Sequence, residues 1–343
     1  MNFASDNASG VHPRIMAALA DANEGSVASY GRDALTDRAV QAVRDRFDSP
    51  DAAVFLLGTG TGANALALAQ LCPSWGRIFC HRTAHIETSE SGAPQWMAGG
   101  AQLALVDGAA GRMTPDALAA RIAEYPQVDE HDGKNAVLSL TNATEWGTVY
   151  DADAVAALAA VARGAGMVVH LDGARFGNAV AATGAAPADL TWRAGVDAMS
   201  LGGTKSGCLA LEAVVFFNPD AARDFAFRRM RAGHLWSKHR FLAAQMIAWL
   251  DGDLWLDLAR HANAAAGELA AGLTAAGLVP LVPVEANEIF LRLPRATLAR
   301  LREGGLRAAD WPMAEDDDQT ATIRLVTSWA TDEAEISALL RAL

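Results

Sequence analysis

The chain has 343 residues, 51% of them hydrophobic, enough for a large core and too long for one ordinary domain, so two domains are expected. Its 28 basic and 40 acidic residues leave a formal charge of −12 with no basic stripe, which argues against nucleic acid as a partner and for a soluble chain. No apolar run approaches a membrane span, the first residues lack a charged segment followed by a hydrophobic one, and Cys72, Cys80 and Cys208 fit neither a disulfide framework nor a zinc spacing; a reducing cytoplasm is the expected compartment.

Residues 12–24 and 34–47 read as helices, with the turn-like Ser29-Tyr30-Gly31-Arg32-Asp33 between them. The periodicity then changes. An apolar strand, 53–57, meets Gly58-Thr59-Gly60-Thr61-Gly62-Ala63-Asn64, and a helix runs on to about Leu71. Further strands are predicted at 77–81, 102–106, 136–141, 167–171, 197–201 and 212–217, with helices at 115–124, 151–165 and after Gly173. That alternation predicts an α/β fold with a mostly parallel sheet and helices on both faces. After Pro219 the pattern becomes long helices, including 255–277, then short strands at 288–293 and 322–326 and a last helix over 332–341. The expected partition is an N-terminal segment (1–20), a large α/β domain (21–248) and a smaller α+β C-terminal domain (249–343). Glu315-Asp316-Asp317-Asp318 reads as a solvated loop, and no metal site is expected.

Several motifs carry chemistry. A strand, a Gly60-Thr61-Gly62 turn and a helix place free N–H groups and a positive dipole end where an anion would sit, although an ordinary βα turn explains the same glycines. Gly58-x-Gly60-x-x-Ala63 also satisfies a dinucleotide-binding pattern, but the next strand ends at Cys80-His81-Arg82, with no acid for a ribose hydroxyl. His81 and His85 have a zinc-like spacing, yet Arg82 stands where a metalloprotease helix needs Glu. His85 lies past a strand end, where a flat imidazole can stack on a flat ring. His170-Leu171-Asp172-Gly173-Ala174-Arg175 delivers a carboxylate and an arginine at the end of one strand, and Leu201-Gly202-Gly203-Thr204-Lys205 delivers a lysine at the end of the next. Parallel neighbours bring both to one rim. An Asp beside a pyridine nitrogen and a Lys able to form a Schiff base are what pyridoxal phosphate (PLP) demands. Arg175 can clamp a substrate carboxylate, and Arg324, charged within an apolar strand, needs either a structural acid or an incoming substrate. Each signal has a structural explanation when taken singly; their order along the chain is what is specific.

That order is similar to the threonine aldolase family, the β-eliminating lyase-like branch of fold-type I PLP enzymes. The matching motifs span nearly the whole chain: Phe3-Ala4-Ser5-Asp6-Asn7, His12-Pro13, Tyr30-Gly31, Thr59 to Asn64, Ala84-His85-Ile86 with Glu90, Gly92-Ala93-Pro94, His170 to Arg175, Gly203-Thr204-Lys205 and Arg324-Leu325-Val326-Thr327. The resemblance implies an aspartate aminotransferase-like large domain and a PLP cofactor. Lys205 would bond the cofactor, Asp172 would pair with its pyridine nitrogen, and His85 would stack on its ring. Gly60 and Thr61, with Arg240 from a neighbouring subunit, would hold the phosphate. Ser5, Arg175 and Arg324 would bind the substrate carboxylate, and Tyr30 would border the site from a partner chain in a homotetramer, a dimer of dimers with shared sites. The implied reaction is retro-aldol cleavage of L-threonine, L-allo-threonine or a relative such as L-phenylserine to glycine and an aldehyde. One departure stands out. Many members place a histidine after the strand corresponding to 137–140; here Thr144-Glu145-Trp146-Gly147 fills that loop, leaving Glu145 or His85 as the base, with His131 the nearest other histidine in sequence. Another PLP-dependent β-eliminating lyase or aminotransferase, a nicotinamide dehydrogenase and a non-enzymatic binding protein are the alternatives.

Overall fold

The computed structural model describes residues 1–343. Seven strands form its central sheet: β1 (Ala53–Leu57), β2 (Gly76–His81), β3 (Gln102–Val106), β4 (Lys134–Thr141), β5 (Val168–Gly173), β6 (Ala198–Gly202) and β7 (Glu212–Phe216). Their order is β1-β7-β6-β5-β4-β2-β3. The run from β6 through β5, β4 and β2 to β3 is parallel, and β7 is antiparallel to both its neighbours. The short link 203–211 dictates that reversal, because a parallel return needs a crossover of a dozen or more residues. The mostly parallel sheet expected from the strand–helix alternation is therefore present.

Alternation along the strands splits the core into layers. Leu171, Met199, Leu201 and Val215 face one side, where they pack with Val43, Val155, Leu158, Leu242 and Met246 of the covering helices. Ala198, Val214 and Phe216 face the other, with Ala63, Leu66 and Ala67 of the helix Gly60–Leu71. That helix is buried continuously from Gly62 to Ala69, so its sequence is apolar all round and carries no amphipathic stripe.

A second, antiparallel sheet has the order β8 (Glu288–Pro294), β10 (Thr320–Val326), β9 (Ala309–Asp310). Its core joins Ile289, Leu291, Ile323 and Leu325 to Leu269, Leu273, Ile336 and Phe3. The helix Leu254–Ala275 serves both cores: Leu254, Trp255, Leu256 and Leu258 belong to the large one, and Ala265, Ala266, Leu269 and Leu273 to the small one. The sequence reading lacked the helix Arg295–Glu303, the two-residue β9 and the short helices His85–Thr88 and Ala93–Met97. The acidic run is an ordered turn: Asp316 accepts from Thr322 Oγ1 at 2.6 Å and pairs with Arg292 at 3.2 Å, while Asp317 accepts from the Thr320 amide and hydroxyl.

Candidate active site

Parallel pairing of β5 with β6 sets Asp172 opposite Ser200 and Gly173 opposite Leu201, so both strands end on one rim. Asp172 is buried; its Oδ2 accepts from Asn64 Nδ2 at 2.8 Å and its Oδ1 from the Ala174 amide at 3.0 Å. The same Asn64 amide donates to Glu90 Oε1 at 2.9 Å. With carboxylates on both sides, only the amide nitrogen can face them, which leaves Asn64 Oδ1 buried without a partner. Glu90 in turn accepts from His85 Nδ1 at 2.8 Å, and this bond holds the imidazole proton, raising the His85 pKa against the opposing effect of burial. Lys205 sits in the single turn 204–206 after β6, where it feels the charges of Arg175, Asp6, Asp172 and Glu288 and its own charge reaches His85. Burial, followed by the Arg175 guanidinium, pulls the Lys205 pKa down.

Glu145 follows β4 on the same rim. Its Oε1 accepts from the His85 amide at 2.7 Å and from Thr141 Oγ1 at 3.0 Å, while Oε2 is buried with no partner. Burial, reinforced by the Asp172 charge, pushes its pKa up to about 7. The other histidines of that region play no part here. His81 is fixed to Thr83 Oγ1 and the Gly108 carbonyl, so it does not converge with His85, and His131 pairs with Asp129 in the exposed link that enters β4 from the opposite end.

At the glycine loop, Thr59 caps the helix, its hydroxyl accepting from the Gly62 amide at 3.2 Å. The amides of Gly60 and Thr61 have no intrahelical acceptor and sit at the positive dipole end. His234 and Trp236 cover the loop so closely that a Cβ on Gly62 would collide with the His234 ring and one on Gly58 with Trp236. Glu212, buried at the start of β7, lies beside Gly202 and Gly60, and burial lifts its pKa to about 7.

Beyond Lys205 lies a cluster of charges. Asp6 binds Arg175 through two bonds, Nε to Oδ2 at 2.7 Å and Nη2 to Oδ1 at 3.0 Å, and its own position is fixed by Asn287 Nδ2 at 3.1 Å. Glu288 accepts from Arg324 Nη1 at 3.2 Å, and the Arg324 guanidinium lies 5.4 Å from the centre of the Trp311 ring. Ser5 stands next to Asp6 and accepts from the Asn7 amide at 3.2 Å. Two expected residues lie outside this cluster in the single chain. Tyr30 is 48% exposed, its amide bonded to the Ser237 carbonyl, and Arg240 donates to the carbonyls of Glu24 and Gly25.

The rim fits a phosphorylated pyridine aldehyde. It offers a buried acid with the unpartnered Asn64 Oδ1 beside it, an oriented imidazole, a lysine of depressed pKa and two free amides at a helix N-terminus. The profile of the beta-eliminating lyase family matches residues 2–296. This chain belongs to that family. A low specificity L-threonine aldolase of Pseudomonas aeruginosa is 43% identical to it, over 99% of this chain and 96% of the relative. One from a Pseudomonas species is 40% identical, over 98% and 95%. A solved structure of the Leishmania major threonine aldolase superposes with a TM-score of 0.93 at 26% identity, covering 99% of this chain and 97% of that one. Serine palmitoyltransferase of Sphingomonas wittichii, at 16% identity and a TM-score of 0.72 over 100% of this chain and 86% of its own, shares the fold. The family fold is the fold-type I arrangement expected from the motif order.

Sequence reasoning singled out Lys205, Asp172, His85, Glu145, Arg175 and Arg324; the structure brings the first five to one rim of the large sheet, and Arg324, on β10 of the small sheet, reaches Arg175 through Glu288. Sequence reasoning assigned no part to Asn64, Glu90, Asp6, Glu288, Glu212, His234 or Trp236. The first three lie inside motifs that were noticed, but their bonding partners are 26, 108 and 169 residues apart along the chain. No local pattern in the sequence marks Glu288 or Glu212.

Proposed function

We propose that this protein is a PLP-dependent aldehyde-lyase that cleaves L-β-hydroxy-α-amino acids to glycine and an aldehyde. L-threonine, L-allo-threonine and the aryl analogue L-phenylserine are the candidate substrates. The observation that carries the reading is the meeting, on one rim, of Lys205 with the chain Asp172–Asn64–Glu90–His85 and with Glu145. PLP, when bound, supplies a ring that accepts electrons from a bond broken at Cα. Lys205 is the amine to which it attaches, favoured as a nucleophile because its ammonium form is disfavoured by burial and by Arg175. Asp172, held by Asn64, would keep the ring nitrogen protonated. His85, held by Glu90, would lie against the ring, and the Gly60 and Thr61 amides would take the phosphate. Arg324, with Arg175 and Ser5, orients the substrate carboxylate, which fixes the torsion about Cα and hence the bond that breaks. Glu145 receives the proton of the β-hydroxyl on Oε2, its unpartnered oxygen, and with a pKa near neutrality it can both take and return that proton.

We further propose a cytoplasmic homotetramer in which Tyr30 and Arg240 serve a partner's site. The exposure of Trp96 (78%) and Phe227 (76%) supports an assembly, and no helix is long and apolar enough to cross a membrane.

The test is a visible spectrum of the purified protein followed by an assay for aldehyde with each of the three substrates. A cofactor band with aldehyde and glycine produced is the expected result, and Lys205→Ala should lose both band and turnover. Retro-aldol turnover that survives in Lys205→Ala refutes the assignment. Pyruvate with ammonia would indicate a β-eliminating lyase, and an exchanged amino group an aminotransferase.

A further inference from the structure

The carboxylate end of the site is already electrically balanced. Arg175 and Arg324 contribute two positive charges; Asp6 and Glu288 contribute two negative ones. The two acids are held differently. Asp6 grips Arg175 in a two-bond fork and is itself fixed by Asn287. Glu288, fully buried as the first residue of β8, stands between the guanidiniums. Its Oε1 has a single bond, from Arg324 Nη1 at 3.2 Å, and its Oε2 lies 3.4 Å from Arg175 Nη1 without hydrogen-bond geometry. Arg324 Nε is also buried with no acceptor. One arginine therefore has an unused donor, and the acid facing it is weakly held.

A carboxylate that docks on Arg324 brings a third negative charge to this balanced set. Like charges a few ångströms apart in a water-poor site repel strongly, so the newcomer and Glu288 cannot share Arg324 on equal terms. We propose that Glu288 is a built-in competitor for the substrate carboxylate: it occupies the Arg175–Arg324 seat in the free enzyme and gives up Arg324 when the carboxylate arrives. This rests on the reading of Arg324 as a carboxylate-binding residue and adds what sets the affinity there. The device weakens every carboxylate ligand, glycine included, and so favours release of the product. Glu288 is a positioning residue that acts through Arg324, and the loop carrying Glu145 lies directly on it. A Cβ on Gly147 would come within 2.9 Å of the Glu288 Cβ.

The test compares two ligands of the PLP-loaded enzyme by the change in visible absorbance: glycine, and methylamine, which has the amine without the carboxylate. In Glu288→Gln, which keeps the shape and removes the charge, the glycine Kd should fall about tenfold, the equivalent of one weakened charge-assisted hydrogen bond. The methylamine Kd should stay within about twofold, because its amine does not engage Arg324. Glycine binding that is unchanged or weaker overturns the proposal; weaker binding is what a merely structural Glu288 produces. Arg324→Gln separates the two levels of the argument. If glycine loses its advantage over methylamine in that variant, the carboxylate reading stands whatever Glu288→Gln does; if the advantage survives, that reading fails and the competitor fails with it. Should Glu288→Gln not fold, a crystal structure of the wild-type holoenzyme with glycine decides. Glu288 withdrawn from Arg324 supports the proposal, and Glu288 still bonded to it overturns it.

Discussion

Glu145 is the base in the proposed reaction, and its two oxygens are treated differently. Oε1 is tied to the His85 amide and Thr141, while Oε2 is buried and unpartnered, so the ionised form is poorly compensated and the pKa rises to about 7. If Glu145 accepts the β-hydroxyl proton, activity must rise as pH passes through about 7, where the carboxyl ionises. Glu145→Gln should lower kcat by about 10²–10⁴-fold and erase that rise. A rise that persists in the variant shifts the role to His85. The same shift has a consequence for stability. The unfolded chain releases this proton near 4.5 and the folded chain retains it to about 7, so the stabilisation is complete below 4.5 and is lost as pH climbs through 7. Glu212 moves in the same direction. The melting temperature of Glu145→Gln, measured against wild type, should therefore improve from pH 5 to pH 8; a constant difference would show that Glu145 ionises normally in the fold.

At the scale of elements, the site depends on where three segments stop. The strands β5 and β6 end in parallel beside each other, and the helix Gly60–Leu71 begins under His234 and Trp236. Gly62 is as tightly covered as Gly58, since the His234 ring occupies the space a Cβ would need. Gly62→Ala should displace His234, disturb the amides of Gly60 and Thr61, and weaken PLP binding, measured as the cofactor concentration that half-saturates the visible band. Adding His234→Ala should restore part of the loss, the rest coming from Thr59 Oγ1, which the new Cβ would still meet at 2.8 Å; no recovery at all would mean that the imidazole is not the obstacle. The strands were readable because a short apolar run closed by glycine leaves little choice of structure, as at β1 and its glycine loop. Helix Arg295–Glu303 was not readable, because only Leu298 and Leu301 of its nine residues are buried, too few to show a period. The direction of β7 was available in principle from the short 203–211 link. The two-residue β9 was not, since it exists only by pairing with β10.

At the scale of the molecule, the N-terminal segment ties the small core to the site. Phe3 is fully buried among Leu269, Ile323 and Leu325, its amide bonds the Arg307 carbonyl, and its carbonyl accepts from Val326. Three residues later Asp6 grips Arg175, and the turn 6–8 packs on the turn that carries Lys205. The motif at residues 3–7 was legible as a pattern, whereas its partners were not. Asp6 and Arg175 are 169 positions apart, and only the folded sheet brings them together. This connection separates two kinds of damage to one core. Phe3→Ala should cost about 3–5 kcal/mol of stability, the usual loss for emptying an aromatic site in a core. It should also raise KM for the amino acid, because Ser5 and Asp6 lose their anchor at the carboxylate end. Leu273→Ala empties the same core from the far part of the helix Leu254–Ala275, at about 2–5 kcal/mol, and should leave KM near that of wild type. Thermal melts paired with steady-state kinetics on both variants read the difference. An equal rise in KM for the two would mean that the small core as a whole positions the site, and that the segment from Phe3 to Asp6 has no separate part in it.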